Sequence, residues 1–256
     1  MSTDRQVLSS VRNAARLLKE FSSRDREFGV SELARRLELG KSTVHRLLVT
    51  LAEEHLVEQD EISGRYRLGL AVYDLGAAVA TGLDLHEAVM PSMEQLRAAT
   101  GETVQVAVLD GREVVYIERL DSPNTLRLFL EVGRRNWAHC TGTGKCLLAH
   151  LPASDLDRIL DGWELPRLTT QTITDLEALR VELKAIRRRG VAHNDGESEI
   201  GVMSVAAPIR DFSGRVRASI SVAGPSVRVE PILPQLDLAV AEMAAATSRR
   251  LGWRRP

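Results

Sequence analysis

Five polar side chains crowd one short stretch: Lys41, Ser42, Thr43, His45 and Arg46. They offer cations, hydroxyls and an imidazole, the groups that meet phosphates and base edges of a nucleic acid. Val44, Leu47, Leu48 and Leu51 recur among them at helical spacing, so the polar groups ride on the first turns of an amphipathic helix. Upstream, residues 31–37 place Leu33, Ala34 and Leu37 on one face of another helix, with Ser31 as its expected N-cap, and Glu38-Leu39-Gly40 breaks it. Helix, tight turn, helix is the arrangement that sets the start of its second helix into a major groove. Residues 56–59 and 65–68 then flank Asp60-Glu61-Ile62-Ser63-Gly64 as a hairpin wing with cations at its tip, Arg65 and Arg67, placed to hold phosphate or the minor groove. The expected contacts to double-stranded DNA are Ser31, Lys41, Ser42, Thr43, His45, Arg46, Arg65 and Arg67. Packing of a helix pair for its core alone is the plain alternative, and the hairpin at this distance favours DNA.

A second concentration of chemistry lies at residues 139–150. Gly142-Thr143-Gly144-Lys145 resembles a nucleotide-binding loop, but His139 stands where that motif needs glycine and Cys146 where it needs Ser or Thr. What remains is a glycine-flanked turn opening a helix, whose free N–H groups and positive dipole end suit a carboxylate or other small anion. Tight packing of a helix start is the competing explanation for those glycines. His139, Cys140, Cys146 and His150 suggest a metal site, yet two buried thiols and two ordinary histidines explain them more simply, and no metal or cofactor is expected. A redox switch would require Cys140, near the helix start, to have a lowered pKa. No G-x-S-x-G elbow occurs, so catalysis by a serine hydrolase is not expected.

These groups need elements to hold them. Val7, Val11, Ala14, Ala15, Leu18 and Phe21 predict an amphipathic helix behind the helix pair. After the wing, Leu68, Val72, Leu75 and Val79 alternate spacings of four and three around Gly76 and Ala77, the pattern of a helix lying against a partner helix. A further helix spans residues 85–99. Residues 103–109 and 113–119 form strands around the Asp110-Gly111 turn, and residues 126–130 a short strand. Helices follow at 142–151, 153–160 and 175–189, strands at 203–210 and 216–222, and a last helix at about 231–249. Hairpins on either side of a helical insert predict an α+β fold with an antiparallel sheet and helices packed on it. The division expected is a winged helix-turn-helix domain at 1–69, a linker and dimerisation helix at 70–83, and a sensing domain at 84–256.

The 256 residues suffice for two cores, with 44% hydrophobic and 27% charged residues as in ordinary water-soluble proteins. The net charge is −1, and residues 1–70 carry 12 Lys or Arg against 11 Asp or Glu. Affinity for DNA must therefore come from local arrangement and from pairing two subunits, not from bulk charge. Two cysteines make no disulfide framework, no secretory signal begins the chain, and the most apolar window, residues 68–83, is short and interrupted by Asp74. A cytoplasmic location is expected.

Residues 31–37 with Lys41-Ser42-Thr43-Val44-His45-Arg46-Leu47-Leu48 resemble the DNA-binding region of IclR-type transcriptional regulators, and Gly64-Arg65-Tyr66-Arg67-Leu68-Gly69 resembles their wing. The similarity continues through Thr100-Gly101-Glu102-Thr103, Val114-Val115-Tyr116-Ile117, Leu130-Glu131-Val132-Gly133, residues 142–145, Gly196-Glu197 and Ala223-Gly224-Pro225-Ser226, covering nearly the whole chain. The resemblance implies a GAF-like effector domain, dimers that pair into tetramers, and a small ligand, commonly an organic or aromatic acid, that alters repression or activation. It places the effector between the sheet and the loop after His139, with Gly142 and Thr143 offering N–H groups to a carboxylate and Asn194, Ser204, Ser221 and Ala223 lining the rest. Family sensors of small acids tend to carry Asp, Cys and Ser where Asn194, Ser204 and Ala223 stand here. That departure argues against a glyoxylate-like ligand and for a larger or more aromatic acid, with Trp137 either an apolar wall or a core residue. The rival readings are a catabolic enzyme with an accessory winged helix, which would turn over what it binds, and a winged helix used for protein contact, which would show no salt-sensitive DNA binding.

Overall fold

The computed structural model describes residues 8–21, 25–81, 85–125 and 131–254. The chain forms two compact units, Met1–Leu83 and Asp84–Pro256.

In the first unit, α1 (Ser9–Glu20), α2 (Val30–Leu37) and α3 (Lys41–Glu53) precede a two-stranded antiparallel hairpin of β1 (Val57–Gln59) and β2 (Tyr66–Leu68). Leu17, Phe21, Phe28, Leu33, Leu37, Val44, Leu48, Val57 and Tyr66 are its buried core. Phe28 ties the hairpin to the helices: it bridges Tyr66 through the backbone and meets Phe21 edge-on at 5.2 Å. Two sequence expectations shift by a residue or a face. Gly29, not Ser31, caps α2, because the Glu32 and Leu33 amides donate to the Gly29 carbonyl at 3.1 Å, which leaves Ser31 inside the first turn and exposed. The inner face of α1 centres on Leu17, and Val11 is exposed; Val7 lies outside the described residues. The helix α4 (Leu70–Thr81) closes the unit, with Leu70, Tyr73 and Leu75 exposed. Gly69, just before it, admits no side chain, since a Cβ there would lie 2.2 Å from the His55 carbonyl oxygen.

The second unit begins with α5 (Leu85–Thr100), β3 (Thr103–Asp110), β4 (Glu113–Leu120) and β5 (Arg135–Trp137). There follow α6 (Gly142–Ala149), α7 (Ala153–Leu160), α8 (Leu176–Arg189), β6 (Ala192–Asp195), β7 (Val202–Arg210), β8 (Val216–Pro225), α9 (Ser226–Val229) and α10 (Leu233–Arg250). Among the described residues, six strands make one antiparallel sheet in the order β5-β4-β3-β8-β7-β6. The strand expected at 126–130 lies outside the described residues, while β5, β6 and α9 are short elements that the periodicity of the sequence does not announce.

Alternation gives the sheet two unlike faces. Val104, Val106, Val205, Ile220 and Val222 are fully buried, and α5 and α10 pack on the sheet on that side. The other face carries Gln105, Ala107, Ser204, Ala206, Ser219, Ser221 and Ala223, paired across strands as Gln105–Ser221–Ala206 and Ala223–Ser204–Asn194. Helix α6 covers it, and α8 packs on α6, through a second apolar cluster that includes Cys146, Leu147, Leu148, Leu179, Leu183 and Ile186. The small and polar residues of this face admit a helix at close range and leave a space beside its start.

Candidate functional site

The surface of the first unit is organised by the two sides of α3. Val44, Leu48 and Leu51 turn inward, while Lys41, Ser42, His45 and Arg46 are exposed and Thr43 is half-buried. Gly40 caps the helix, its carbonyl accepting from the Thr43 and Val44 amides at 3.0 and 3.1 Å, so the polar groups begin at the first turn. Ser31 is exposed on α2. The wing differs from its sequence expectation. Its cations sit on and just before β2, while the tip is a turn wrapped around Asp60, whose carboxylate accepts from the Ile62 and Ser63 amides and the Ser63 hydroxyl. The bonds from Ser63 hold the Asp60 carboxyl below its usual range. Arg65 donates to the Glu27 carbonyl at 2.6 Å and pairs with Glu32 at 3.2 Å; Arg67 pairs with Glu58 at 2.7 Å, which raises its pKa further. Both wing arginines therefore have carboxylate partners within the protein.

The second unit holds a cavity of about 190 Å³ on the polar face of its sheet. Gln105, Tyr116 and Asn136 line it from β3, β4 and β5, and Asn194, Ser204, Ser221 and Ala223 from β6, β7 and β8. Thr141 and Thr143 close it at the start of α6, Leu168, Ser198 and Glu199 lie on its loop side, and Arg134 joins the lining just before β5. Five residues assigned through the resemblance thus come together: Thr143, Asn194, Ser204, Ser221 and Ala223. Gly142 is not in the lining; it presses on the floor, where a Cβ would lie 2.8 Å from the Ser204 hydroxyl oxygen. Trp137 is elsewhere, its ring 6.3 Å from that of Trp163 and 6.5 Å from that of His139, within the apolar cluster. The reason is strand parity: the side chain of Asn136, one residue earlier, takes the cavity side.

Of the buried polar atoms of the cavity, Gln105 Nε2 has no hydrogen-bond partner, and Thr143 Oγ1 meets the phenol of Tyr116. Gln105 and Thr143 are each only 2% exposed. Burial raises the pKa of the Tyr116 phenol. Asn194 is committed to the loop beyond it, its Oδ1 accepting from the Glu197 amide at 2.9 Å and its Nδ2 donating to Ser198 at 3.1 Å. Gln105, Tyr116, Asn136, Ser198 and Glu199 are absent from the residues expected from sequence. Gln105 carried a signal, a long polar side chain between Val104 and Val106 on a strand buried on both faces.

The glycines at 142–145 serve packing. A Cβ on Gly144 would lie 2.3 Å from the Ala138 backbone and 2.6 Å from Thr141 Oγ1, the group that caps α6 by accepting from the Gly144 amide. Lys145 is buried and ion-paired with Glu197, with Glu182 at 4.0 Å. The metal and redox ideas also lose their geometry. His139 Nε2 bonds the Pro166 carbonyl at 3.0 Å, His150 Nδ1 bonds the Cys146 carbonyl at 2.8 Å, and no metal-holding group of three His, Cys, Asp or Glu occurs among the described residues. Burial pushes both the Cys140 and the Cys146 thiols up to about 12, the reverse of the lowered value a redox switch requires. No described helix is long and apolar enough to cross a membrane.

Residues 10–61 match the family described as "IclR helix-turn-helix domain", and residues 77–249 match "Bacterial transcriptional regulator IclR C-terminal". The chain is 37% identical over 220 residues to the HTH-type transcriptional regulator BhcR of Paracoccus denitrificans, covering 86% of this chain and 79% of that protein. It is 32% identical over 248 residues to the HTH-type transcriptional regulator XynR of Escherichia coli, covering 96% and 98%. Among solved structures, an IclR homologue from Microbacterium hydrocarbonoxydans complexed with 4-hydroxybenzoate superposes with a TM-score of 0.84 at 30% identity, covering 95% of this chain and 99% of that one. Exposed recognition-helix groups, a wing, a buried polar cavity and these matches over both units agree: the chain belongs to the IclR family of DNA-binding bacterial transcriptional regulators, which are not enzymes.

Proposed function

We propose that this regulator binds a pseudo-palindromic operator as a dimer or a dimer of dimers, and that a small carboxylate in the cavity changes the balance between arrangements of the two DNA-reading units. Lys41, Ser42, Thr43, His45 and Arg46 contact base edges and phosphates, Ser31 adds a contact from α2, and Arg65 and Arg67 hold the backbone from the wing. The exposed Leu70, Tyr73 and Leu75 of α4 support a dimer helix over residues 70–83, between a DNA-binding domain at 1–69 and an effector domain at 84–256. A protein of this kind works in the cytoplasm, with the chromosome.

The observation that carries the effector reading is the unpartnered buried atom Gln105 Nε2, in the cavity that Thr143 closes at the start of α6. Such a group is costly to leave unpaired, and an oxygen-bearing ligand satisfies it. The amides at the helix start and its dipole favour a negative charge there. Ligand binding must favour one arrangement by about 1–3 kcal/mol to act as a switch.

Fluorescence anisotropy of labelled DNA from upstream of the gene, against scrambled DNA at several salt concentrations, tests the operator claim. Tight salt-dependent binding with a preference for the upstream DNA is expected. Equal binding to both removes the operator reading, and no binding to either, from a folded dimer with candidate acids present, points to protein contact instead. Thr143→Trp fills the cavity and is expected to abolish the response to acids while operator binding persists; an unchanged response would move the effector site elsewhere.

A further inference from the structure

We infer that the cavity takes a small polyhydroxylated carboxylic acid, a sugar-derived acid, in preference to an aromatic one. The inference rests on the effector reading above and deepens it. Hydrogen-bonding groups face the cavity from β3, β4, β5, β7 and β8: Gln105, the Tyr116 phenol, Asn136, Ser204 and Ser221. An aromatic ring is held by apolar plates above and below it. Here the aliphatic side chains are those of Leu168, Val202 and Ala223, and the first of them is half exposed at 49%. Trp137, the candidate apolar wall, is outside the cavity lining, its ring tilted at 44° to that of Trp163 against the apolar cluster.

The unpartnered Gln105 group sharpens the choice. Gln105 Nε2 can only donate, so it needs an oxygen, and the Thr143 hydroxyl, which meets the Tyr116 phenol, has capacity for a second bond. A flat C–H surface against them would leave the Gln105 donor unmade in a buried site, and sites built to bond a hydroxyl discriminate strongly against analogues that lack it. Glu199, on the loop side, accepts hydrogen bonds from hydroxyls, and Arg134, in the same lining, favours a carboxylate. A volume of about 190 Å³ fits a small molecule of this kind.

Isothermal titration of the full-length protein with D-gluconate, D-xylonate, 4-hydroxybenzoate and hexanoate tests the inference. At least one sugar acid is expected to bind about 100-fold more tightly than either of the other two. Gln105→Leu is expected to weaken that binding about tenfold or more, with no fall in the melting temperature of the unliganded protein, because the substitution removes a buried unpaired donor. Tighter binding of 4-hydroxybenzoate or hexanoate, binding of none of the four, or sugar-acid affinity unchanged in Gln105→Leu would overturn it. Operator anisotropy on the same preparation separates the two proposals. Salt-dependent operator binding without sugar-acid binding sinks the ligand class alone. Sugar-acid binding with no effect on the operator complex upholds the ligand class and sinks the effector role.

Discussion

The two units of this protein use polar side chains in opposite ways. The first displays them: Lys41, Ser42, His45 and Arg46 stand on the exposed side of α3 while the other side builds the core. The second encloses them: Gln105, Ser204 and Ser221 lie on a sheet face covered by helices, and their value lies in what water cannot reach. A displayed group is already solvated and gains on binding through local complementarity and charge. An enclosed one has lost its water on folding, so an unfilled partner position is a standing preference for a ligand.

The sharpest way to break the contrast is at the displayed face. If Arg46 reads a base edge, Arg46→Ala is expected to weaken operator binding by about 1–3 kcal/mol per DNA-reading unit, and twice that for a two-headed complex. Anisotropy on operator and scrambled DNA checks it, and an equal loss on both would make Arg46 a phosphate contact. In the enclosed unit the next effect is on stability. Glu102 is buried against Gly224 and forms a two-pronged ion pair with Arg228, so Glu102→Ala is expected to cost about 3 kcal/mol, toward the lower limit for breaking buried pairs because Arg228 keeps some water. Denaturant unfolding should show the second unit's transition move and operator binding by the remaining folded protein stay intact.

A smaller effect comes from pH. Burial lowers the pKa of His139 and of His150 below the usual 6.5, so the unfolded chain takes up protons first as pH falls. Stability is then full above 6.5 and is lost as pH drops through that value toward the folded ones. Glu197 has the opposite sign: burial raises its pKa from 4.5, and its contribution declines as pH rises from there through the folded value. Melting curves between pH 7 and about pH 5.5 are expected to fall, and less steeply in His139→Phe. The smallest change tests the wing. Glu58 competes with DNA for Arg67, so Glu58→Gln is expected to tighten operator binding a few-fold at low salt, with the gain fading as salt rises. No gain would mean that Arg67 stays off the DNA.

How far the residues alone could be read follows the same division. Leu33, Ala34, Leu37, Val44 and Leu48 were legible as a core because helical periodicity is local, and the opposite face of α3 followed from it. Ser31 misled as a cap because the choice between it and Gly29 depends on which carbonyl the Leu33 amide reaches. The ion pairs of the wing arginines were not legible because Glu32 and Glu58, their partners, approach only once the hairpin is folded.

By itself, then, the sequence determined the helix pair, the hairpin, most strands and helices of the second unit and, through ordered motifs, the family. These depend on residue periodicity, turn chemistry and resemblance, all of which the chain carries along its length. Only the tertiary structure decided which side chains meet. It brought Gln105 and Tyr116 to the cavity with Ser204 and Ser221, sent Trp137 to the core, and turned Lys145 toward Glu197. The physical reason is register. One residue of strand slip exchanges the two faces of a sheet, and the pairings that fix it join residues about a hundred positions apart, such as Gln105 and Ser221.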